Sequence, residues 1–494
     1  MSKDLPGKLY RVAQVRELDR LAIDQVGIPG YTLMYRAGEA AFQALRRRWP
    51  RARRILVLCG AGNNAGDGYV LARMARTEGL LVTVAALFDP ERLEGDAAIA
   101  WEAYKTSGGT VEEWRPSMLA AADVVVDAML GTGLSRELKG KPRELVEYVN
   151  ESGVDVFALD IPTGLHADSG QPMGAAIAAT STITFVALKL GLFTGEAPCF
   201  TGAVVFDDLG IPGKLAEALP VAANRITASH IASLLPRRRR TAHKGDFGNV
   251  LVVGGDTGMA GAVRLAAEAA LRAGAGRVTV ATRPGNIAAV IAGRPELMCH
   301  GVETADELQE LIDAADVIAI GPGLGQRGWG QRLLTTTLGN DKPMVVDADA
   351  LNLLARHAQR RDNWVLTPHP GEAGRLLDLR SAEVQQDRLA ALAQLLERYG
   401  GTVVLKGAGT LIGHRGYPPC ISDLGNPGMA APGVGDVLTG IIVGIAAQTA
   451  NLVQAAEAAV YVHAAAGDDA ARDGERGMLA SDLIDRMRKW INPN

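Results

Sequence analysis

Two kinds of segment alternate along this chain. Short runs of β-branched and other apolar residues, lacking polar alternation, are separated by longer Ala/Leu-rich stretches of helical character. In the first half the runs are "RILVLCG" (54–60), "LLVTVAAL" (80–87), "ADVVVDAM" (122–129), "DVFALDI" (155–161) and "TITFVAL" (182–188). In the second they are "NVLVVGG" (249–255), "RVTVAT" (277–282), "DVIAIGPG" (316–323), "PMVVDADA" (343–350), "NWVLTPH" (363–369) and "TVVLKG" (402–407). Runs of this kind read as strands buried on both faces. Their alternation with helices predicts an α/β class, with parallel sheets covered by helices. Nearly every run ends in Gly, Asp, His or Pro, and open α/β sheets bind ligands beyond the carboxyl ends of their strands. The most apolar long stretch, 437–453, is interrupted by Gln448 and Asn451 and opens beside Asp436. A buried helix is expected there rather than a membrane span.

The two series meet near 215–240, where "PGKLAEALPVAANRIT" and an arginine run intervene, and they share no motif. With 494 residues exceeding one core, two α/β domains are expected, at 1–220 and 226–494. Composition narrows the class further: 48% hydrophobic, 21% charged and a net charge of −4 describe a globular chain with no general pull toward nucleic acid or anionic membrane. The basic clusters "RRRWPRARR" (46–54) and "RRRR" (237–240) read as solvated surface. Cys59, Cys199, Cys299 and Cys420 lack zinc spacing, and the N-terminus lacks the apolar core of a signal peptide. Reduced thiols in a cytoplasmic protein are expected.

In the first half, "CGAGNNAGDGYVLAR" (59–73) follows a strand and opens a helix. Gly60, Gly62 and Ala65 satisfy the dinucleotide fingerprint, with Asp89 about twenty residues on, so an NAD-dependent oxidoreductase competes at this point. Asn63, Asn64 and Asp67, however, crowd polar side chains where a pyrophosphate needs bare backbone. Amide oxygens with a carboxylate suit a cation and sugar hydroxyls better. Asp127, in "VVVDAMLGTGLSRELKG" (124–140), and Asp160, in "ALDIPTGLHADSG" (158–170), end further strands. Each alone could be a loop cap, but three polar strand ends in one sheet converge on one crevice.

These three motifs together resemble the NAD(P)H-hydrate epimerase family over roughly residues 10–215. The resemblance implies a Rossmann-like doubly wound sheet whose hydrate site is lined by Asn63, Asn64, Ala65, Gly66 and Asp67 and by Gly131, Thr132, Gly133, Leu134, Ser135, Arg136 and Glu137. It implies that Asn64, Asp127 and Thr163 hold a potassium ion, and that Asp160 contacts the ribose end of the nicotinamide and takes part in proton transfer. Two positions depart from the family pattern. Ala65 replaces a common glycine, at a cost of about 1 kcal/mol if φ there must be positive; Thr163 replaces a common serine and keeps the hydroxyl.

In the second half, "KGAGTLI" (406–412) offers a lysine, a Gly-x-Gly turn and a threonine hydroxyl, a set suited to polyphosphate oxygens. "GNPGMAAPGVGDVLTGIIVG" (425–444) holds Asp436 as its only charged side chain, at the start of an apolar helix. Asp436 alone could be an N-cap; beside a phosphate loop it fits a general base that activates a hydroxyl, as in ribokinase-type kinases. N-capping is also the plain reading of Asp347 and Asp349, and packing that of His369.

"HKGDFGNVLVVGGDTGMAGAVRLAAEAALRAGAG" (243–276), "TPHPGEAGRL", "KGAGT" and "GNPGMAAPGVGDVLTG" resemble the nucleotide-dependent NAD(P)H-hydrate dehydratase family over about 226–490. The resemblance implies a ribokinase-like domain in which Ala262, Gly323, His369 and Asp436 contact the hydrate. Lys406, Gly407, Ala408, Gly409, Thr410 and Gly435 would hold the nucleotide. It implies ADP as phosphoryl donor, with ATP the alternative, and Mg²⁺ on the phosphates. The substrates would be the hydrates of NADH and NADPH (NADHX and NADPHX), whose S form is dehydrated while the two epimers are interconverted. A homo-oligomer with no nucleic-acid or membrane partner is expected. The competing readings are a small-molecule kinase with an accessory Rossmann-like binding domain, and a first half that only binds.

Overall fold

The computed structural model describes residues 5–134 and 136–493. The chain divides into two compact units, Met1–Asn224 and Arg225–Asn494. The first is built on a seven-stranded sheet in the order Val111–Glu113, Leu81–Ala86, Arg54–Cys59, Val124–Ala128, Val156–Leu159, Ser181–Phe185, Ala203–Asp207, with every neighbouring pair parallel. Chain order reverses between Arg54–Cys59 and Val124–Ala128. That is the switch point at which a doubly wound sheet opens its ligand crevice.

In the second unit the parallel strands run in the order Met298–Gly301, Arg277–Thr282, Asn249–Val253, Val317–Ile320, Met344–Val346, Trp364–Leu366, Thr402–Leu405. Its switch point lies between Asn249–Val253 and Val317–Ile320. Beyond Thr402–Leu405 the sheet departs from the all-parallel expectation. Thr410–His414 returns antiparallel, with Leu405 opposite Leu411, and Cys420–Ser422 follows antiparallel again. The residues 406–409 are therefore a hairpin turn, and their glycines supply the positive φ that a tight turn demands: Gly407 at +133° and Gly409 at +62°.

The apolar stretch after Asp436 is the helix Val434–Thr449, buried along most of its length. It crosses Ala260–Arg272 closely, because a methyl on Gly440 would lie 2.1 Å from the Ala266 carbonyl and one on Gly444 2.6 Å from that of Ala270. Among the described residues no helix is long and apolar enough to cross a membrane. All four cysteines are free thiols. Of the arginine runs, Arg238 is not simply solvated: its guanidinium lies 3.6 Å from the Phe247 ring centre.

Candidate functional site

Each unit uses the same device at its switch point. A methyl on Gly60 would lie 1.8 Å from the Met129 carbonyl, and one on Gly254 2.0 Å from that of Pro322. The first glycine after the first strand thus lets two neighbouring strand-end loops touch. In the first unit these are the loops of Asn63–Asp67 and Met129–Gly133.

Between them opens a cavity of about 570 Å³, lined among others by Asn63, Asn64, Asp67, Gly131, Thr132, Gly133 and Asp160. Gly131 stands between an expected potassium ligand and the expected proton-transfer acid, since a methyl on it would be 3.4 Å from Asn64 Cγ and from Asp160 Oδ2. Ala65 and Gly66 point away, into the packing under the helix Asn63–Thr77. Ala65 is fully buried and lies outside the positive-φ residues, so its methyl carries no conformational cost. Leu134, Arg136 and Glu137 are not among the cavity's lining residues, and Ser135 lies outside the described residues.

Asp127 is fully buried and accepts hydrogen bonds from the Thr163 N–H (2.8 Å), the Thr163 hydroxyl (2.7 Å) and the Met129 N–H (3.2 Å). The Leu130 N–H donates to Thr163 Oγ1 at 2.9 Å. The pair thereby fixes the loop that carries Gly131. Burial pushes the Asp127 carboxyl up to about 6, against the hydrogen bonds from Thr163 and Met129. The Asn64 side chain is buried with neither its oxygen nor its nitrogen bonded. A buried amide left unpaired costs energy unless a ligand completes it.

Asp160 sits at φ +66°, a strained position for a side chain with a Cβ and one that recurs at functional sites. Its Oδ1 is gripped by the Lys189 ammonium. Lys189 is 1% exposed and also donates to Thr184 Oγ1 (2.9 Å) and the Phe185 carbonyl (2.8 Å). Oδ2 is left toward Gly131. Two more acids share the cavity. Asp67 is held well above its usual range by burial, then by the charges of Asp160 and Asp19. Burial pushes Asp19 up to about 6, Lys189 pulling against it and Asp160 adding to it. Neither Asp19 nor Lys189 belongs to the sequence motifs. Arg16, on the same helix as Asp19 (Val12–Asp24), donates to the Thr132 carbonyl at 3.2 Å.

In the second unit, Ala262 and Gly323 come together: a methyl on Gly323, whose φ is +58°, would be 3.2 Å from Ala262 Cβ. Asp349 does not act as an N-cap. Its carboxylate accepts the Gly325 N–H at 2.9 Å and the Gln326 amide at 3.0 Å, fixing the glycine loop. Asp347 occupies the N-cap position of Ala348–Leu354 without a capping bond. It receives Lys406 Nζ at 2.9 Å and the Thr439 hydroxyl at 2.7 Å. Burial would raise Asp347; the Lys406 charge and these hydrogen bonds hold it below its usual value.

Asp436 lies in the first turn of Val434–Thr449, whose N-cap is Gly433 at φ +85°. Its carboxylate accepts no hydrogen bond among the described residues, so capping is not its role. Burial, then the Asp347 charge, push it up to about 7, with Lys406 opposing and Glu372 and Asp349 adding. A methyl on Gly435 would be 3.3 Å from Lys406 Nζ. Thr410 Oγ1 donates to the Gly407 carbonyl at 2.9 Å, and Gly407 and Ala408 are exposed at the turn. His463, buried on Leu452–Ala470, lies 2.9 Å from the Val434 carbonyl and steadies the helix start. His369 caps Pro370–Leu377: Nδ1 accepts the Gly371 N–H at 3.0 Å while Glu372 accepts the His369 N–H at 2.8 Å. Burial, then the nearby Lys406 and Arg375 charges, lower its pKa, and with Nδ1 accepting, Nε2 is the ring nitrogen left to donate.

Residues 250–489 match the family model described as NAD(P)H-hydrate dehydratase, and residues 30–191 that described as YjeF-related protein N-terminus. The bifunctional NAD(P)H-hydrate repair enzyme of Coxiella burnetii is 49% identical over 486 residues, covering 98% of this chain and 99% of its own. That of Escherichia coli is 46% identical over 490 residues, covering 99% and 95%. Among solved structures, a ribokinase-like superfamily protein from Enterococcus faecalis is 32% identical with a TM-score of 0.51, covering 54% of this chain and 94% of its own.

Proposed function

The chain belongs to the bifunctional NAD(P)H-hydrate repair enzymes, and from that premise we propose how its two units divide the work. The first interconverts the R and S hydrates of NADH and NADPH. The second dehydrates the S form with ADP, giving AMP and phosphate. Hydration of the nicotinamide ring leaves a hydroxyl that is a poor leaving group. Phosphorylation makes it a good one, and elimination restores the ring.

The observation that carries this reading is Asp436: a half-buried carboxylate without a hydrogen-bonding partner among the described residues, raised to about 7, in the first turn of a helix. That is the placement of a base that takes a hydroxyl proton as the phosphoryl group arrives at the helix N-terminus. Lys406, Gly407–Thr410 and Gly435 would surround the nucleotide phosphates. His369, whose Nε2 lies 3.5 Å from Glu372 Oε1, would contact the hydrate near Ala262 and Gly323. Mg²⁺ would neutralise charge on the phosphates.

In the first unit Asp160 would exchange the proton through Oδ2 while Lys189 holds Oδ1. The unpaired Asn64 amide, with Asp127 and Thr163, fits a potassium ion, which would fix the ribose and phosphate end of the hydrate. We place the enzyme in the cytoplasm as a homo-oligomer. The test is a mixed-epimer hydrate incubated with the enzyme, Mg²⁺ and either ADP or ATP. Return of the reduced-ring absorbance with release of inorganic phosphate supports repair. A stable phosphorylated product without ring restoration would instead mark a small-molecule kinase.

A further inference from the structure

Beneath the 406–409 turn lies an arginine that the roles above leave unused. Arg388 opens the helix Arg388–Tyr399 and is 3% exposed. Its guanidinium faces the turn. Nη2 donates to the carbonyls of Leu405 (3.0 Å), Lys406 (3.3 Å) and Gly409 (3.4 Å). Nη1 donates to Gln385 Oε1 (2.6 Å) and the Lys406 carbonyl (3.3 Å), and the buried Nε has no partner. A methyl on Gly407 would lie 2.9 Å from Nη1. Only a glycine lets the turn close onto the guanidinium this tightly.

What Arg388 lacks is a countercharge. Among the described residues the other deeply buried cations have one: Lys189 pairs with Asp160 and Arg225 with Asp423. No carboxylate among the described residues pairs with Arg388, and burial draws its pKa down to about 10. Burying an unpaired charge is costly, and a fold keeps one where a partner arrives later or where its hydrogen bonds are indispensable. The hydrogen bonds are present here, to three carbonyls of one turn. Arg388 takes the carbonyls of Leu405, Lys406 and Gly409 inward and the Pro368 carbonyl takes the Lys406 N–H, so the N–H groups of Gly407, Ala408 and Gly409 are the ones left to form an anion-binding nest.

We propose that Arg388 is a positioning residue for the nucleotide: it sets the 406–409 turn from below, and the polyphosphate supplies the countercharge that the chain does not. The inference rests on reading this turn as the nucleotide loop. It separates charge from shape, because a purely structural arginine would affect every adenosine ligand alike, whereas an unpaired charge weighs more as phosphates are added.

The test is calorimetric titration of the full-length protein with ADP, AMP and adenosine, together with dehydratase kcat and nucleotide KM. In Arg388→Met, ADP affinity is expected to fall about tenfold to hundredfold as the turn loses its charge-assisted hydrogen bonds and the charge beneath it, with AMP falling less and adenosine least. Nucleotide KM should rise more than kcat falls. Equal losses for all three ligands, or none, would overturn the proposal. Should the Met variant fail to fold, Arg388→Lys carries the test, since it keeps the charge but cannot span the carbonyls. It should weaken ADP while preserving the preference for ADP over AMP, and unchanged ADP affinity or a lost preference counts against the role. Gly409→Val in the same titration tests the loop reading itself. If ADP still binds normally there, the turn is not the nucleotide loop, whatever Arg388 does.

Discussion

Lys406 and Asp347 form a buried ion pair, Nζ to Oδ1 at 2.9 Å, and the same ammonium lies 3.3 Å from where a methyl on Gly435 would sit. The cation proposed for the phosphates is therefore parked against the Asp347 carboxylate, beside Gly435, the residue that precedes the proposed base. Glu372 stands 3.8 Å from it on another side. Three acids thus compete for one lysine, and the charge balance of the site depends on it.

That balance gives a pH prediction. A base works only when deprotonated, so with Asp436 raised to about 7 the dehydratase kcat/KM should fall on the acid side of that value. Lys406 is the group opposing the rise. In Lys406→Met the acid limb should therefore move to higher pH while nucleotide affinity drops. In Asp436→Asn the rate should fall about 10²- to 10⁴-fold and the limb should vanish. Rate–pH profiles of the three proteins check this; a limb unmoved in Lys406→Met would separate the two residues.

Gly435 allows a narrower test. An alanine there keeps the helix but brings a methyl to 3.3 Å from Lys406 Nζ. Displacement of the ammonium should weaken ADP binding severalfold and leave epimerisation unchanged. Parallel titration and epimer-exchange measurements would show it; equal ADP affinity would mean that the lysine has room to yield.

Thr163 links stability to the first site. Its hydroxyl serves Asp127 and accepts from Leu130, so Thr163→Val leaves a buried carboxyl and a backbone N–H each short of a partner. A loss of about 1–3 kcal/mol is expected, the usual cost of buried groups left unsatisfied. Thr163→Ser should lose much less. Urea unfolding would measure both, and potassium should stabilise the wild type more than the Val variant if Thr163 is one of its ligands.

Much of this was legible in the sequence because the chemistry sits at strand ends, where a polar residue breaks an apolar run. Asp127, Asp160, Asp436 and the "KGAGT" turn stand out for that reason. Each apolar run holds a strand, but some outlast it, as 343–350 outlasts Met344–Val346, and the short or half-exposed strands Val111–Glu113, Ala203–Asp207 and Met298–Gly301 have no such run to mark them; nor was the antiparallel return at Thr410–His414 legible, since nothing in an apolar run records direction. Lys189 and Arg388 were hidden for another reason. A lysine ending an apolar run and an arginine opening a helix both read as solvated charges, and only the fold brings Asp160 to one and the carbonyls of 405–409 to the other. Asp19 lies on a helix remote in sequence from the motifs, and reaches the cavity only through tertiary packing. His369 shows the converse. It was visible, but its tautomer depends on a capping box that spacing alone does not establish.

The proposed division of labour rests on two carboxylates in separate sheets, Asp160 and Asp436, and a mixed-epimer preparation tests it. The intact enzyme with ADP and Mg²⁺ should restore all of the hydrate. Asp160→Ala should restore the accepted epimer quickly and then stall, apart from slow spontaneous interconversion. Lys189→Met should stall in the same way, because Asp160 loses the cation that fixes Oδ1. Asp436→Asn should restore nothing, yet a single purified epimer should still equilibrate to a mixture without nucleotide. Sites this independent should behave additively, so the double variant Asp160→Ala, Asp436→Asn should lack both activities and show no new defect. Chromatography of the epimers over time resolves every case. If Asp160→Ala silenced both activities in a folded protein, or neither, the two-site account would be wrong. If Lys189→Met alone were silent in both, the ion pair would be holding up the unit rather than its chemistry.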